Sequence, residues 1–127
     1  MTDLTSVLVV DDNPTMANTL ADILNAKGFQ VYAATSGSEA LQVLHDHTVD
    51  ILITDVKMPD MSGLALYRQT RQTHPRLLTF LMTAYAADEL IQQGMKEGIK
   101  TVFSKPLDIE FVITLLSALR GSNASFR

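Results

Sequence analysis

Five short apolar runs punctuate the chain: Val7 to Val10, Gln30 to Ala34, Ile51 to Thr54, Leu78 to Met82 and Thr101 to Ser104. Most are continuous rather than alternating in polarity, which predicts strands covered on both faces, as in a parallel sheet. Between them apolar residues recur at helical spacing. The stretch from about Pro14 to Lys27 carries Met16, Leu20, Ile23 and Leu24 on one stripe, with Asn13 as N-cap, Pro14 at N1 and Gly28 as the stop. A capping box, Ser36 to Glu39, opens a second helix bearing Ala40, Leu41 and Leu44. A third runs from about Gly63 to Thr73 and halts before Pro75; a fourth, about Ala87 to Glu97, carries Leu90, Ile91 and Met95 before Gly98. The fifth starts at Asp108, with Leu107 and Val112 as its hydrophobic staple and Ile109, Val112, Ile113, Leu116 and Leu119 as its inner stripe.

Five βα units joined by right-handed crossovers predict an α/β fold, a doubly wound five-stranded parallel sheet with helices on both faces. The flavodoxin-like strand order 2-1-3-4-5 suits this length and puts a crevice at the carboxyl ends of the first and third strands. With 127 residues there is room for one such domain, residues 1–120. The remainder, 121–127 (GSNASFR), is small and polar and reads as a C-terminal tail or the stump of a linker.

Composition narrows the function. A net charge of -4 supplies no basic field for nucleic acid or an anionic membrane, so neither is expected as a direct partner. The chain has no cysteine, which removes disulfides, thiolate metal sites and thiol catalysis. Its first residues, MTDLTS, lack the features of a secretion signal, and no apolar run approaches the ~18 residues of a membrane span. A cytoplasmic protein is expected.

The strand ends carry the candidate chemistry. In the predicted topology Asp11 and Asp12 follow the first strand, Asp55 the third, Thr83 the fourth and Lys105 the fifth, so five side chains share one rim. Two adjacent carboxylates at a buried strand end repel one another and lose hydration, which destabilises the fold unless a cation offsets it. Three carboxylates suit a hard divalent ion such as Mg²⁺. A carboxylate can also attack phosphorus to give an aspartyl phosphate. Phosphoryl transfer asks mainly for positioning and charge neutralisation, which Mg²⁺, the Lys105 ammonium and the Thr83 hydroxyl would supply to the three phosphoryl oxygens.

Four motifs, in order, carry a resemblance: VLVVDDNPT, ITDVKMPDMSG, FLMTAYA and FSKPLD. With them the chain resembles the receiver domain of two-component response regulators over roughly residues 5 to 120. The resemblance implies a phosphorylation-controlled signalling switch, not an enzyme beyond assisting its own phosphorylation and dephosphorylation. Asp55 would be the phosphoacceptor, taking its phosphoryl group from a histidine of a sensor kinase or histidine phosphotransfer protein. Asp12 would bind Mg²⁺ directly and Asp11 mainly through a metal-bound water, with the backbone carbonyl of Lys57 as the third protein ligand. Thr83 and Lys105 would bond the phosphoryl group, and the peptide bond from Lys105 to Pro106 would be cis. Phosphorylation would alter the face formed by the fourth helix, fifth strand and fifth helix, drawn here from 87–97, 101–103 and 108–120. That face would then dimerise or grip an output domain, so a receiver cut from a multidomain regulator or hybrid kinase is expected over a stand-alone protein.

One departure from the family stands out: Val102 occupies the place of a common aromatic switch residue, and strand alternation turns the nearby Phe103 to the opposite face. Asp60 and Asp108 read as cap or turn formers, Gly63 as serving the turn before the third helix, Pro59 as stiffening the acceptor loop, and the methionines as core filler and loop residues. His45, His47 and His74 lie near helix ends without metal-ligand spacing and take no assigned role. Lys57 and Tyr85 would border the phosphoryl group and hinder the water that removes it. Two other readings stay open, a receiver-like interaction module that is never phosphorylated and an enzyme or cofactor protein on the same fold. The second is disfavoured because DDNPT would repel a flavin or dinucleotide phosphate and no DxDx acceptor motif is present.

Overall fold

The computed structural model describes residues 5–86 and 88–121. Strands and helices alternate along the whole length: β1 (Ser6–Val10), α1 (Pro14–Ala26), β2 (Gln30–Ala34), α2 (Gly37–Asp46), β3 (Ile51–Asp55), α3 (Gly63–Thr73), β4 (Leu78–Thr83), α4 (Glu89–Glu97), β5 (Thr101–Ser104) and α5 (Ile109–Gly121). All neighbouring strands pair in parallel, in the order β2-β1-β3-β4-β5. This is the flavodoxin-like sheet that the sequence predicts.

The continuous apolar runs have a direct explanation. β1 and β3 are buried at every position and β4 at all but its first residue, because helices cover both faces of the central sheet. Along them Val7, Val9, Ile51, Ile53, Phe80 and Met82 pack on one face against Leu20 and Leu24 of α1 and Val112 and Leu116 of α5. The intervening Leu8, Val10 and Leu52 pack on the other face with Leu44 of α2 and Leu66 of α3, while Leu81 meets Leu64, Tyr67 and Ile91. Each such side chain, fully buried, contributes about 1.5 to 3 kcal/mol. The edge strands β2 and β5 are only partly covered.

The helix caps follow the sequence closely. The Asn13 side chain accepts from the N–H groups of Thr15 and Met16, Ser36 from Glu39, Ser62 from Ala65, Asp88 from Leu90 and Asp108 from Phe111. Gly28 and Gly98 stop α1 and α4 at positive φ. In the capping box Glu39 reaches back to the N–H of Thr35 rather than to that of Ser36.

Three residues expected on buried stripes face solvent instead: Met16 (45% exposed), Leu90 (61%) and Met95 (37%). In α1 the sheet-facing stripe is Ala17, Leu20, Ala21 and Leu24, and Met16 sits about 100° round the helix from Ala17. In α4 only Ile91 and Gly94 are buried, so Leu90 and Met95 fall on either side of a narrow contact line. α4 begins at Glu89, and the expected start at position 87 lies outside the described residues. α5 begins at Ile109, with the expected first residue, Asp108, serving as its cap. Its stripe packs as expected, Val112 and Leu116 buried with Leu107, Ile109, Ile113 and Leu119 against the same cluster. α5 continues to Gly121, and the rest of the expected tail, 122–127, lies outside the described residues.

Candidate functional site

β1 and β3 are neighbours paired Val10 to Thr54, so the residues that follow, Asp11 and Asp55, emerge side by side. The Asp11 N–H extends the ladder to the Ala34 carbonyl, which draws the residue into the fold and leaves it 3% exposed; Asp55 is 8% exposed, whereas Asp12 is an exposed residue. One carboxylate oxygen from each of Asp11, Asp12 and Asp55 lies within 4.8 Å of the others. The Asn13 N–H donates to Asp11 Oδ1 at 3.0 Å, tying the acid to the cap of α1.

The charge imbalance is met in part by Lys105. Its backbone N–H continues the β4–β5 pairing to the Thr83 carbonyl, and a cis peptide bond to Pro106 follows. The ammonium reaches Asp55 Oδ2 at 3.1 Å and Asp11 Oδ2 at 3.3 Å. Burial pushes the Asp55 carboxyl above its ordinary value; the Lys105 hydrogen bond and charge oppose this, and the neighbouring Asp11 charge adds to it. For Lys105, burial works downward, but its bonds and charges with Asp55 and Asp11 outweigh it and hold the ammonium above the usual lysine value. Three carboxylates against one ammonium leave two negative charges uncompensated. Asp12 makes no hydrogen bond among the described residues. A set of close, hard oxygen donors with surplus negative charge fits a divalent cation such as Mg²⁺.

The other expected residues surround this cluster. Thr83, 5% exposed, ends β4, and its Oγ1 accepts from the Tyr85 N–H at 3.0 Å, which leaves the hydroxyl proton to donate elsewhere. It bonds none of the three carboxylates. The Lys57 N–H points to Asp55 Oδ1 at 3.4 Å, and the Lys57 ammonium lies 4.8 Å from the centre of the Tyr85 ring. At the start of α3 the Gly63 N–H bonds the Val56 carbonyl at 2.8 Å, and a Cβ there would run into the Asp55 carbonyl. Gly63 is therefore required by this close approach, not by a turn.

Phe103 faces away from the site, stacked on Phe80 with ring centres 5.4 Å apart, while Val102 packs with the Leu81 cluster on the other side of the sheet. The three histidines gather at the opposite end of the strands, around a cleft of about 620 Å³ beside Arg76 and Asp50. His74 bonds the Leu44 carbonyl and His47 stacks on Tyr32.

Asp60 departs from its local reading. It does not cap the helix that follows it; its carboxylate accepts from the N–H groups of Gly37 and Ser38 and from the Ser38 hydroxyl, at the amino end of α2. Partners 22 and 23 positions away leave no local pattern from which this could be read.

Comparison with known proteins agrees with this geometry. The family described as "Response regulator receiver domain" matches residues 7–117. Over 108 residues the chain is 36% identical to Response regulator receiver protein Anae109_2439 of Anaeromyxobacter sp. (strain Fw109-5), covering 85% of this chain but 45% of that protein. It is 30% identical over 104 residues to Sporulation initiation phosphotransferase F of Bacillus subtilis (strain 168), covering 82% of this chain and 84% of that one. Among solved structures, the signal receiver domain of an HD domain-containing protein from Pseudomonas fluorescens Pf-5 superposes with a TM-score of 0.85 at 28% identity, covering 98% of this chain and 93% of that one. The chain thus spans less than half the length of the Anaeromyxobacter relative and most of the Bacillus one.

Proposed function

The chain belongs to the family of response regulator receiver domains, which makes it a signalling domain, and from that premise we propose a Mg²⁺-dependent switch that carries its phosphoryl group on Asp55. The donor is a phosphohistidine of a sensor kinase or of a histidine phosphotransfer protein. The N–P bond of that donor breaks as a bond from phosphorus to an Asp55 carboxylate oxygen forms, and the released imidazole takes up a proton from water.

The observation that carries the proposal is the shared cluster: three carboxylates within 4.8 Å and an ammonium 3.1 Å from one of them, at the carboxyl ends of β1 and β3. Asp12, Asp55, the Lys57 carbonyl and, through water, Asp11 would hold Mg²⁺, which would supply positive charge for the approach of an anionic donor and for a phosphoryl oxygen. Lys105, already bonded to Asp55, transfers its ammonium contact to the phosphoryl group. The free proton of the Thr83 hydroxyl serves another phosphoryl oxygen. The exposure of Asp12 and the engagement of Asp11 with Lys105 support Asp12 as the direct ligand.

The proposal carries with it a cytoplasmic location and a partner or output domain that reads the face of α4, β5 and α5. Among the described residues no helix is long and apolar enough to cross a membrane. Leu90 and Phe111, 61% and 52% exposed, give that face apolar contact points. The test is incubation with Mg²⁺ and acetyl phosphate, read by intact mass. One phosphoryl group should appear, vanish in Asp55→Ala and fail to form without Mg²⁺. No gain in mass would favour an interaction module that is never phosphorylated, and sustained turnover of an added phosphoester would favour an enzyme.

A further inference from the structure

Between Asp55 and α3 the chain crosses a loop of seven residues, 56–62. The Gly63 N–H is bonded to the Val56 carbonyl, which draws the first and last turns of the loop together, the Val56 N–H continues to the Met82 carbonyl, and Ser62 caps α3. Just after Val56, the Lys57 N–H makes a long contact of 3.4 Å to Asp55, and its side chain is exposed beside Tyr85. A further attachment lies at Asp60 and Met61. Asp60 Oδ1 accepts from the Gly37 N–H at 3.0 Å, and Oδ2 accepts from the Ser38 N–H at 2.9 Å and the Ser38 hydroxyl at 2.8 Å. Met61 lies so close to Gly37 that a Cβ there would collide with its side chain. Met58 and Met61 pack with the cluster that holds Ala40 and Leu44 of α2.

We propose that Asp60 is a positioning residue for the phosphoacceptor site: by tying the loop to the amino end of α2 it fixes the backbone at Lys57, three residues earlier, whose carbonyl the function proposed above assigns to Mg²⁺. The inference rests on that reading. The physical logic is reciprocal satisfaction. α2 opens with N–H groups that have no partner inside the helix, and an anion there is favoured by the helix dipole as well as by hydrogen bonding. Ser36, the cap of α2, answers the N–H of Glu39, whereas among the described residues those of Gly37 and Ser38 are answered across the fold, by Asp60. The bonds from Ser38 and Gly37 hold the Asp60 carboxyl at about 2, well below the usual range, so the tie stays ionised wherever the site itself is charged. Loops that supply a metal ligand need such support, and its loss is felt in affinity.

The test compares two ways of damaging the same helix end. Asp60→Ala removes a cap and the tie; Ser36→Ala removes a cap and leaves the tie. Mg²⁺ affinity is measured by calorimetry on the full chain, with the acetyl phosphate labelling rate of Asp55 alongside. Asp60→Ala should weaken Mg²⁺ binding roughly tenfold and slow labelling, with Ser36→Ala close to wild type in both. Asp60→Asn, which keeps one acceptor oxygen, should fall between and serves if the alanine variant does not fold. Unchanged affinity in Asp60→Ala, or an equal loss in Ser36→Ala, overturns the positioning role while leaving the proposed function intact. Wild-type protein that binds no Mg²⁺ overturns both.

Discussion

In metal-free buffer, replacing Asp55 by Asn should stabilise the domain. At an effective dielectric of about 20, two carboxylate oxygens within 4.8 Å of each other repel by at least about 3 to 4 kcal/mol, and the Lys105 contact at 3.1 Å attracts Asp55 by about 5 kcal/mol. Asp55 faces two such carboxylates, one of them the exposed Asp12, whose share water and salt screen. The Coulombic terms on Asp55 therefore come close to cancelling. What remains is dehydration of a carboxylate only 8% exposed, an effect of several kcal/mol that a neutral amide largely avoids. Asn keeps the shape and an oxygen for the Lys57 N–H, and Lys105 keeps Asp11. A net gain of about 1 to 2 kcal/mol is expected, a rise in Tm of roughly 4 to 8 °C for a domain of this size. The assay is thermal and urea unfolding in EDTA followed by far-UV circular dichroism. The pH dependence provides a sign check. Because the folded pKa of Asp55 is raised, the folded state holds that proton more tightly than the unfolded chain, so its penalty is present above the raised pKa and relieved as pH falls through it. The advantage of the Asn variant should thus shrink on acidification. A variant that melts below wild type at neutral pH in EDTA would refute the reasoning and show that the Lys105–Asp55 pair is net stabilising.

Added Mg²⁺ should raise wild-type stability by about 2.7 kcal/mol at a hundred times its dissociation constant, and Asp12→Ala should lose most of that gain in the same melts; an equal gain in the variant would put the cation elsewhere. If the Lys57 ammonium, 4.8 Å from the Tyr85 ring centre, and that ring shield the acyl phosphate from water, exchanging both for alanine should speed its hydrolysis roughly tenfold, about 1.4 kcal/mol of barrier. An unchanged half-life by intact mass would dismiss the shield. Thr79 Oγ1 is buried without a partner among the described residues, so Thr79→Val should gain about 1 kcal/mol in urea unfolding, with a loss pointing instead to an ordered water on the hydroxyl.

By itself the sequence determined the order of elements, because continuous apolar runs and amphipathic stretches differ in period, and it marked the caps through residues such as Asn13, Ser36 and Asp108 whose side chains satisfy nearby N–H groups. It also named the five side chains of the rim, since strand ends in a parallel sheet all point the same way. Tertiary structure decided what depends on contact between distant segments. Met16, Leu90 and Met95 are apolar yet exposed, because the sheet touches α1 and α4 along lines narrower than their apolar faces. Asp11 and Asp12 are chemically the same, but ladder pairing with Ala34 buries the first against Lys105 and leaves the second free. Asp60 looks like any turn aspartate until the fold brings α2 against the acceptor loop. Local periodicity records which face a segment can bury; only packing assigns the partner that meets it.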